Sequence, residues 1–130
     1  MPVTVTRMPD LPVIFAKFTG HISADDVRSV FTESLKLITP DDKLIYRISS
    51  LEEADSSFVD AFKSVQAGAK AEPGTTQDTR FKVILVGQSR WVQMFVQFMS
   101  QKQFGGIIIP CFPNMEKALE YVRTDCAQSF

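Results

Sequence analysis

Few residues in this chain of 130 could carry covalent or proton-transfer chemistry. His21 is the only histidine, and a Ser–His or Cys–His couple needs that imidazole beside a nucleophile. It follows Gly20 in a turn, which predicts a solvent-exposed loop position instead. Cys111 and Cys126 fall in different expected elements and form no C-x-x-C or Cys/His spacing, so they imply neither a disulfide nor zinc. Cys111 ends an apolar run with no cation nearby in sequence to activate it, the setting of a small core hydrophobe. The acidic pairs Asp25-Asp26, Asp41-Asp42 and Glu52-Glu53 are sequence neighbours, whose side chains point different ways and suit solvated caps and turns better than paired acid/base work. Gly87-Gln88-Ser89 joins a strand to a helix but lacks the repeated glycines of a nucleotide loop. The expectation is a protein that is not an enzyme, with no catalytic residues, no metal and no cofactor.

Two stretches are better placed to bind something. Asp55-Ser56-Ser57 precedes Phe58, Val59, Phe62, Val65 and Ala69 at helical spacing, so a hydroxyl there can cap the helix, worth about 1 kcal/mol. A helix N-terminus also attracts anions, which makes a phosphoserine at that point physically reasonable. Further on, Trp91, Val92, Met94, Phe95, Val96, Phe98 and Met99 put seven large apolar residues into nine positions. At 100° per residue they spread around most of a helix, whereas a helix packed on one side of a sheet needs a stripe only a little over 100° wide. Part of this helix is therefore expected to be exposed or covered from outside, with Trp91, Phe95, Phe98 and Met99 as contact residues for a second copy in a homodimer or for a small apolar ligand.

These segments must be positioned by a single domain over residues 1–130. The length suffices to bury a core without disulfides or metals, and 45% hydrophobic with 22% charged residues is ordinary globular composition. Fourteen Lys and Arg against fifteen Asp and Glu give a net charge of -1 with no basic cluster, which argues against nucleic acid. The start lacks the form of a signal peptide, and no apolar run reaches the roughly 20 residues of a membrane span, so the expected location is the cytoplasm.

The elements alternate. Val3 to Met8 and Val13 to Thr19 read as strands around the turn Pro9-Asp10-Leu11-Pro12. Ser23 and Asp26 form a capping box for a helix through Val27, Val30, Phe31, Leu35 and Ile38. Leu44 to Ile48 is a short buried strand, and the helix after Asp55-Ser56-Ser57 ends before the polar loop 70–80. Lys82 to Gly87 is a strand, and Ser89 opens a helix from Arg90 to Gln103, closed by Gly105-Gly106. Ile107 to Cys111 is a strand, Asn114 caps a last helix, and residues 125–130 form a frayed tail. The predicted fold is α/β, order ββαβαβαβα, a mixed five-stranded sheet with about four helices.

This order, over roughly residues 13–123, resembles the SpoIIAA-like family, whose fold is shared with STAS domains. Gly20-His21-Ile22-Ser23-Ala24-Asp25-Asp26 looks like the family's glycine and capped helix after the second strand. Val83-Ile84-Leu85-Val86-Gly87-Gln88-Ser89-Arg90-Trp91 looks like its fourth strand running into a helix with an early tryptophan, and Pro113-Asn114-Met115-Glu116-Lys117-Ala118-Leu119 looks like its closing helix. Leu51-Glu52-Glu53-Ala54-Asp55-Ser56-Ser57 is similar to the segment of anti-anti-sigma factors whose first serine is phosphorylated. That resemblance implies Ser56 as phosphoacceptor, with Asp55 and Ser57 in support. Phe58 stands where those regulators have glycine, and Arg47 where their preceding strand commonly has aspartate. The function implied is a non-enzymatic cytoplasmic STAS-like domain, a regulatory protein-interaction module. The alternative is a small-molecule or lipid-binding module with an apolar groove between helices and sheet.

Overall fold

The computed structural model describes residues 3–70 and 72–129. The opening hairpin joins β1 (Val3–Arg7) to β2 (Val13–His21) in antiparallel register, with Val5 opposite Ala16. There follow α1 (Ala24–Lys36), β3 (Ile45–Asp55), α2 (Phe58–Gly68), β4 (Phe81–Val86), α3 (Arg90–Met99), a 3-10 turn (Lys102–Phe104), β5 (Cys111–Phe112) and α4 (Met115–Ser129). The strands lie side by side in chain order, and all pairs after the hairpin are parallel. This is the expected ββαβαβαβα mixed sheet with four helices.

Side-chain alternation along β3 sorts the two faces. Tyr46 and Ile48 point to α4 and meet Ala118 and Val122. Ile45, Arg47, Ser49 and Leu51 point the other way, toward α1, α2 and α3. The first seven residues of β3 are all buried, as expected for a central parallel strand covered on both faces. Among the described residues, no helix is long and apolar enough to cross a membrane.

Several boundaries differ from the sequence expectation, each for a tertiary reason. β3 continues past Ile48 to Asp55, because the ladder with β2 resumes after an irregularity at Lys17/Thr19 and pairs His21 with Asp55. α3 stops at Met99 rather than Gln103, and Ile107 turns back to donate its N–H to the Met99 carbonyl. β5 is two residues long, and Ile107 to Pro110 reach it as irregular chain. α4 continues through 125–129, where a frayed tail was expected. The Asp125 carboxylate accepts from the Tyr46 hydroxyl at 2.6 Å and from Lys82 at 2.9 Å, which ties that turn to the sheet.

The apolar excess of α3 is covered in part within the chain. Phe98 packs edge-on against Phe62 of α2 (6.0 Å, 89°) and tilted against Phe104 of the 3-10 turn (6.3 Å), while Val92 and Met99 are fully buried. The outer face of α3 is polar: Arg90, Gln93 and Gln97 are its exposed residues, and the exposed Ser100 follows as C-cap. Trp91, Met94, Phe95, Val96 and Phe98 remain half-buried, so the helix keeps partly open apolar surface. Contacts with α2 and the 3-10 turn, besides the sheet, give this helix more apolar neighbours than a sheet on one side would.

Candidate functional site

The carboxyl ends of β2 and β3 and the start of α2 meet at one junction. Gly20, at φ +72°, turns the end of β2 in a conformation that favours glycine, and the register places His21 directly beside Asp55. The imidazole bridges two carboxylates, Nδ1 lying 3.2 Å from Asp55 and Nε2 lying 2.7 Å from Asp60. The Asp60 hydrogen bond, followed by the contact with Asp55, holds the imidazole pKa above its ordinary 6.5. The same bond and one from Ser57 hold the Asp60 carboxyl below the usual range. His21 is exposed, as expected, but it belongs to this cluster rather than to a free loop. Both ring nitrogens are engaged by carboxylates, so the imidazole acts here as a clamp between strand and helix.

The two serines divide the work. Ser57 is the N-cap of α2: its hydroxyl accepts the Asp60 N–H at 3.1 Å and donates to the Asp60 carboxylate at 3.1 Å. Ser56, expected from sequence to share in capping, instead donates its hydroxyl to the Ile22 carbonyl at 3.1 Å. Asp55 does not open the helix either, since it is the last residue of β3. Ser56 is half-buried, with the exposed Asp55 and Ser57 on either side.

Beneath Ser56 and Ile22 lies a cavity of about 50 Å³ between the sheet and the three helices. Phe31 of α1 and Trp91 and Phe95 of α3 wall it, and Arg47, Ser49 and Leu51 of β3 form its floor. Of the four contact residues expected from sequence, Trp91 and Phe95 line this space. Phe98 belongs to the aromatic cluster beside it, and Met99 to the core. The Trp91 Nε1 is buried and has no hydrogen-bond partner among the described residues.

Arg47 is the unexpected member. It is 2% exposed, in the middle strand of the sheet. Its Nη1 donates to the Gly74 carbonyl at 2.6 Å and, more weakly, to the Ser34 hydroxyl at 3.4 Å. The guanidinium stacks near Phe31 and Phe81, with its carbon 5.2 and 4.8 Å from the ring centroids. Burial pushes its pKa down to about 10, which leaves it charged at neutral pH, and Asp78 opposes that shift from a distance. The Asp78 oxygens themselves are taken by Arg80 and the Gly74 N–H. Among the described residues no carboxylate pairs with Arg47, and Nε and Nη2 have no acceptor. In the sequence Arg47 registers only as a charge in an apolar strand; its burial follows from the strand being central.

Among known structures the chain is similar to an uncharacterised protein of the DUF3478 family with a SpoIIAA-like fold from Shewanella loihica PV-4. The two share 18% identity over 92% of this chain and 91% of that one, with a TM-score of 0.58. The chain has the SpoIIAA-like fold. It is also similar to an anti-sigma factor antagonist from Mycobacterium paratuberculosis, at 15% identity over 93% of this chain and 92% of that one, TM-score 0.54. No protein-family model matches the sequence, and no curated protein matches it. At these identities the likeness shows the SpoIIAA-like fold alone.

Proposed function

We propose that the chain is a non-enzymatic, cytoplasmic regulatory domain that binds a protein partner where β3 meets α2, with Ser56 as its modifiable residue. The observation that carries this reading is the hydrogen bond from the Ser56 hydroxyl to the Ile22 carbonyl, which links the start of α2 to the exit of β2. Phosphoryl transfer from a nucleoside triphosphate to the Ser56 Oγ displaces the hydroxyl proton and releases the diphosphate, so that bond is lost. The new dianion follows Asp55 directly in the chain and joins the junction that already holds the Asp55 and Asp60 carboxylates, and like-charge repulsion opens it. The likeness of fold to an anti-sigma factor antagonist supports the same reading. Val59, 57% exposed in the first turn of α2, supplies an apolar contact beside the serines.

The test places a photoreactive amino acid at position 59 and, as a control on the opposite side of the sheet, at position 120. A discrete cross-linked protein in the native cell is expected from position 59 only, and it should disappear when Ser56→Asp is combined with it. A cross-link indifferent to Ser56→Asp removes the switch. A second reading, as a small-molecule module, is favoured by the cavity on whose floor Arg47 lies.

A further inference from the structure

The cavity joins three features that point to one ligand chemistry. Its surroundings are largely apolar, contributed by Phe18, Phe31, Leu51 and Phe95. It contains the buried cation of Arg47, which has no ion-pair partner among the described residues. A buried charge in that state is expensive unless an opposite charge and hydrogen bonds compensate it. One further polar group of the lining, the Trp91 Nε1, is buried with no hydrogen-bond partner among the described residues, and Ser49 adds a hydroxyl to the same wall.

The free donors of Arg47 also have a shape. With Nη1 turned to Gly74 and Ser34, the remaining N–H groups are those of Nε and Nη2, which point in parallel along one edge of the guanidinium. That edge matches the two oxygens of a carboxylate. One cation calls for a monoanion, since a phosphate dianion would bring a second, uncompensated charge into an apolar chamber. A cavity of about 50 Å³ is a third of the roughly 150 Å³ that holds a benzene molecule, so the ligand is small.

We propose that this cavity is a binding site for a short-chain monocarboxylate, its carboxylate paired with the Nε/Nη2 edge of Arg47 and its apolar end against Trp91 and Phe95. The proposal rests on the small-molecule reading of the cavity and gives it a ligand class. Ser49, two residues along β3 on the same face, donates its hydroxyl to the ligand, and Trp91 stands where binding changes its surroundings.

Trp91 is the only tryptophan in the chain, so its fluorescence reports on this cavity alone. Formate, acetate, propionate and butyrate are titrated at constant ionic strength, with chloride, phosphate and the neutral alcohol 1-propanol as comparisons, and thermal unfolding is followed in parallel. Acetate or propionate is expected to change Trp91 emission saturably and, at ten times its Kd, to raise Tm by about 4 °C. Arg47→Met is expected to remain folded with similar thermal stability, because an apolar side chain of comparable length replaces a buried cation, and to lose the carboxylate response. Arg47→Lys keeps the charge without the fork and should weaken binding at least about tenfold, a second reading of the same point should Arg47→Met fail to fold. An equal response in Arg47→Met, or an equal effect of chloride, overturns the proposal. Saturable binding of 1-propanol by wild type and Arg47→Met alike, with no carboxylate response, overturns the anion assignment while leaving the cavity a ligand site. No saturable response to any of these probes overturns both.

Discussion

The Ser57 hydroxyl holds the first turn of α2 through the Asp60 N–H, whereas the Ser56 hydroxyl points back to Ile22. Ser57→Ala is therefore expected to lower stability by about 0.5–2 kcal/mol as a lost cap, and Ser56→Ala by about 0.5–1.5 kcal/mol as one hydrogen bond. Urea denaturation measures both, and an unaffected Ser57→Ala would contradict the cap. Asp55-Ser56-Ser57 displayed the capping chemistry in sequence but not which hydroxyl performs it, because that depends on where β3 ends. His21 offers a second check at this scale. Its folded pKa lies above the ordinary 6.5, chiefly through Asp60, so the stabilisation it provides is fully present below 6.5 and is lost as pH rises through the folded value. As the only histidine, it can be titrated by NMR without ambiguity. The midpoint should exceed 6.5 in wild type and fall back toward it in Asp60→Asn; coincident curves would mean the clamp is not formed in solution.

Among the elements, α3 separates pattern from packing. Its apolar residues are spread too widely for a helix lying on a sheet, and the sequence alone cannot say that Phe62 and Phe104 close over Phe98. A helix enclosed by a neighbouring helix, a turn and the sheet buries more of its circumference than a surface helix does. Phe98→Glu is accordingly expected to unfold the domain or lower its Tm sharply, since the carboxylate would enter an aromatic cluster without a partner. Gln97→Glu, one residue earlier on the exposed face, should leave stability within about 0.5 kcal/mol. Thermal melts of the two variants decide it: a stable, folded Phe98→Glu would restore the open face that the sequence pattern suggests. The limits of β3 were hidden for a related reason. Ser49, Ser50 and Glu52 to Asp55 carry little strand propensity, and their extended conformation comes from the ladder with β2.

At the scale of the whole molecule, alternating apolar strands and capped helices were enough to give the strand and helix order, because each crossover is local and each cap is written in adjacent residues. Contacts between distant segments were not legible, and carboxylates make several of them. Asp42 receives both ends of the Arg7 guanidinium at 2.8 and 2.9 Å, and so joins β1 to the chain entering β3. Asp78 takes Arg80 at 2.7 Å and the Gly74 N–H at 2.7 Å, folding the loop before β4 over the buried Thr75. Asp125 secures α4 to the sheet. All three carboxyls are held below their ordinary value of 3.8, Asp42 by its bond to Arg7 first, Asp78 by Arg80 and Asp125 by Tyr46. A proton binds each more readily in the unfolded chain than in the folded one. Their stabilisation is therefore complete above 3.8 and drains away as pH falls below that value toward the depressed ones. Urea midpoints measured from neutral pH down to strongly acidic solution should stay nearly level, as far as these groups are concerned, until about pH 4 and then fall steeply. Asp42→Asn keeps the shape and gives up the ion pair, so it should be less stable than wild type at neutral pH and show a shallower acid limb, the two curves converging at the acid end. Curves that run parallel through the acid limb would show that the Arg7–Asp42 clamp contributes no charge-dependent stability to the fold.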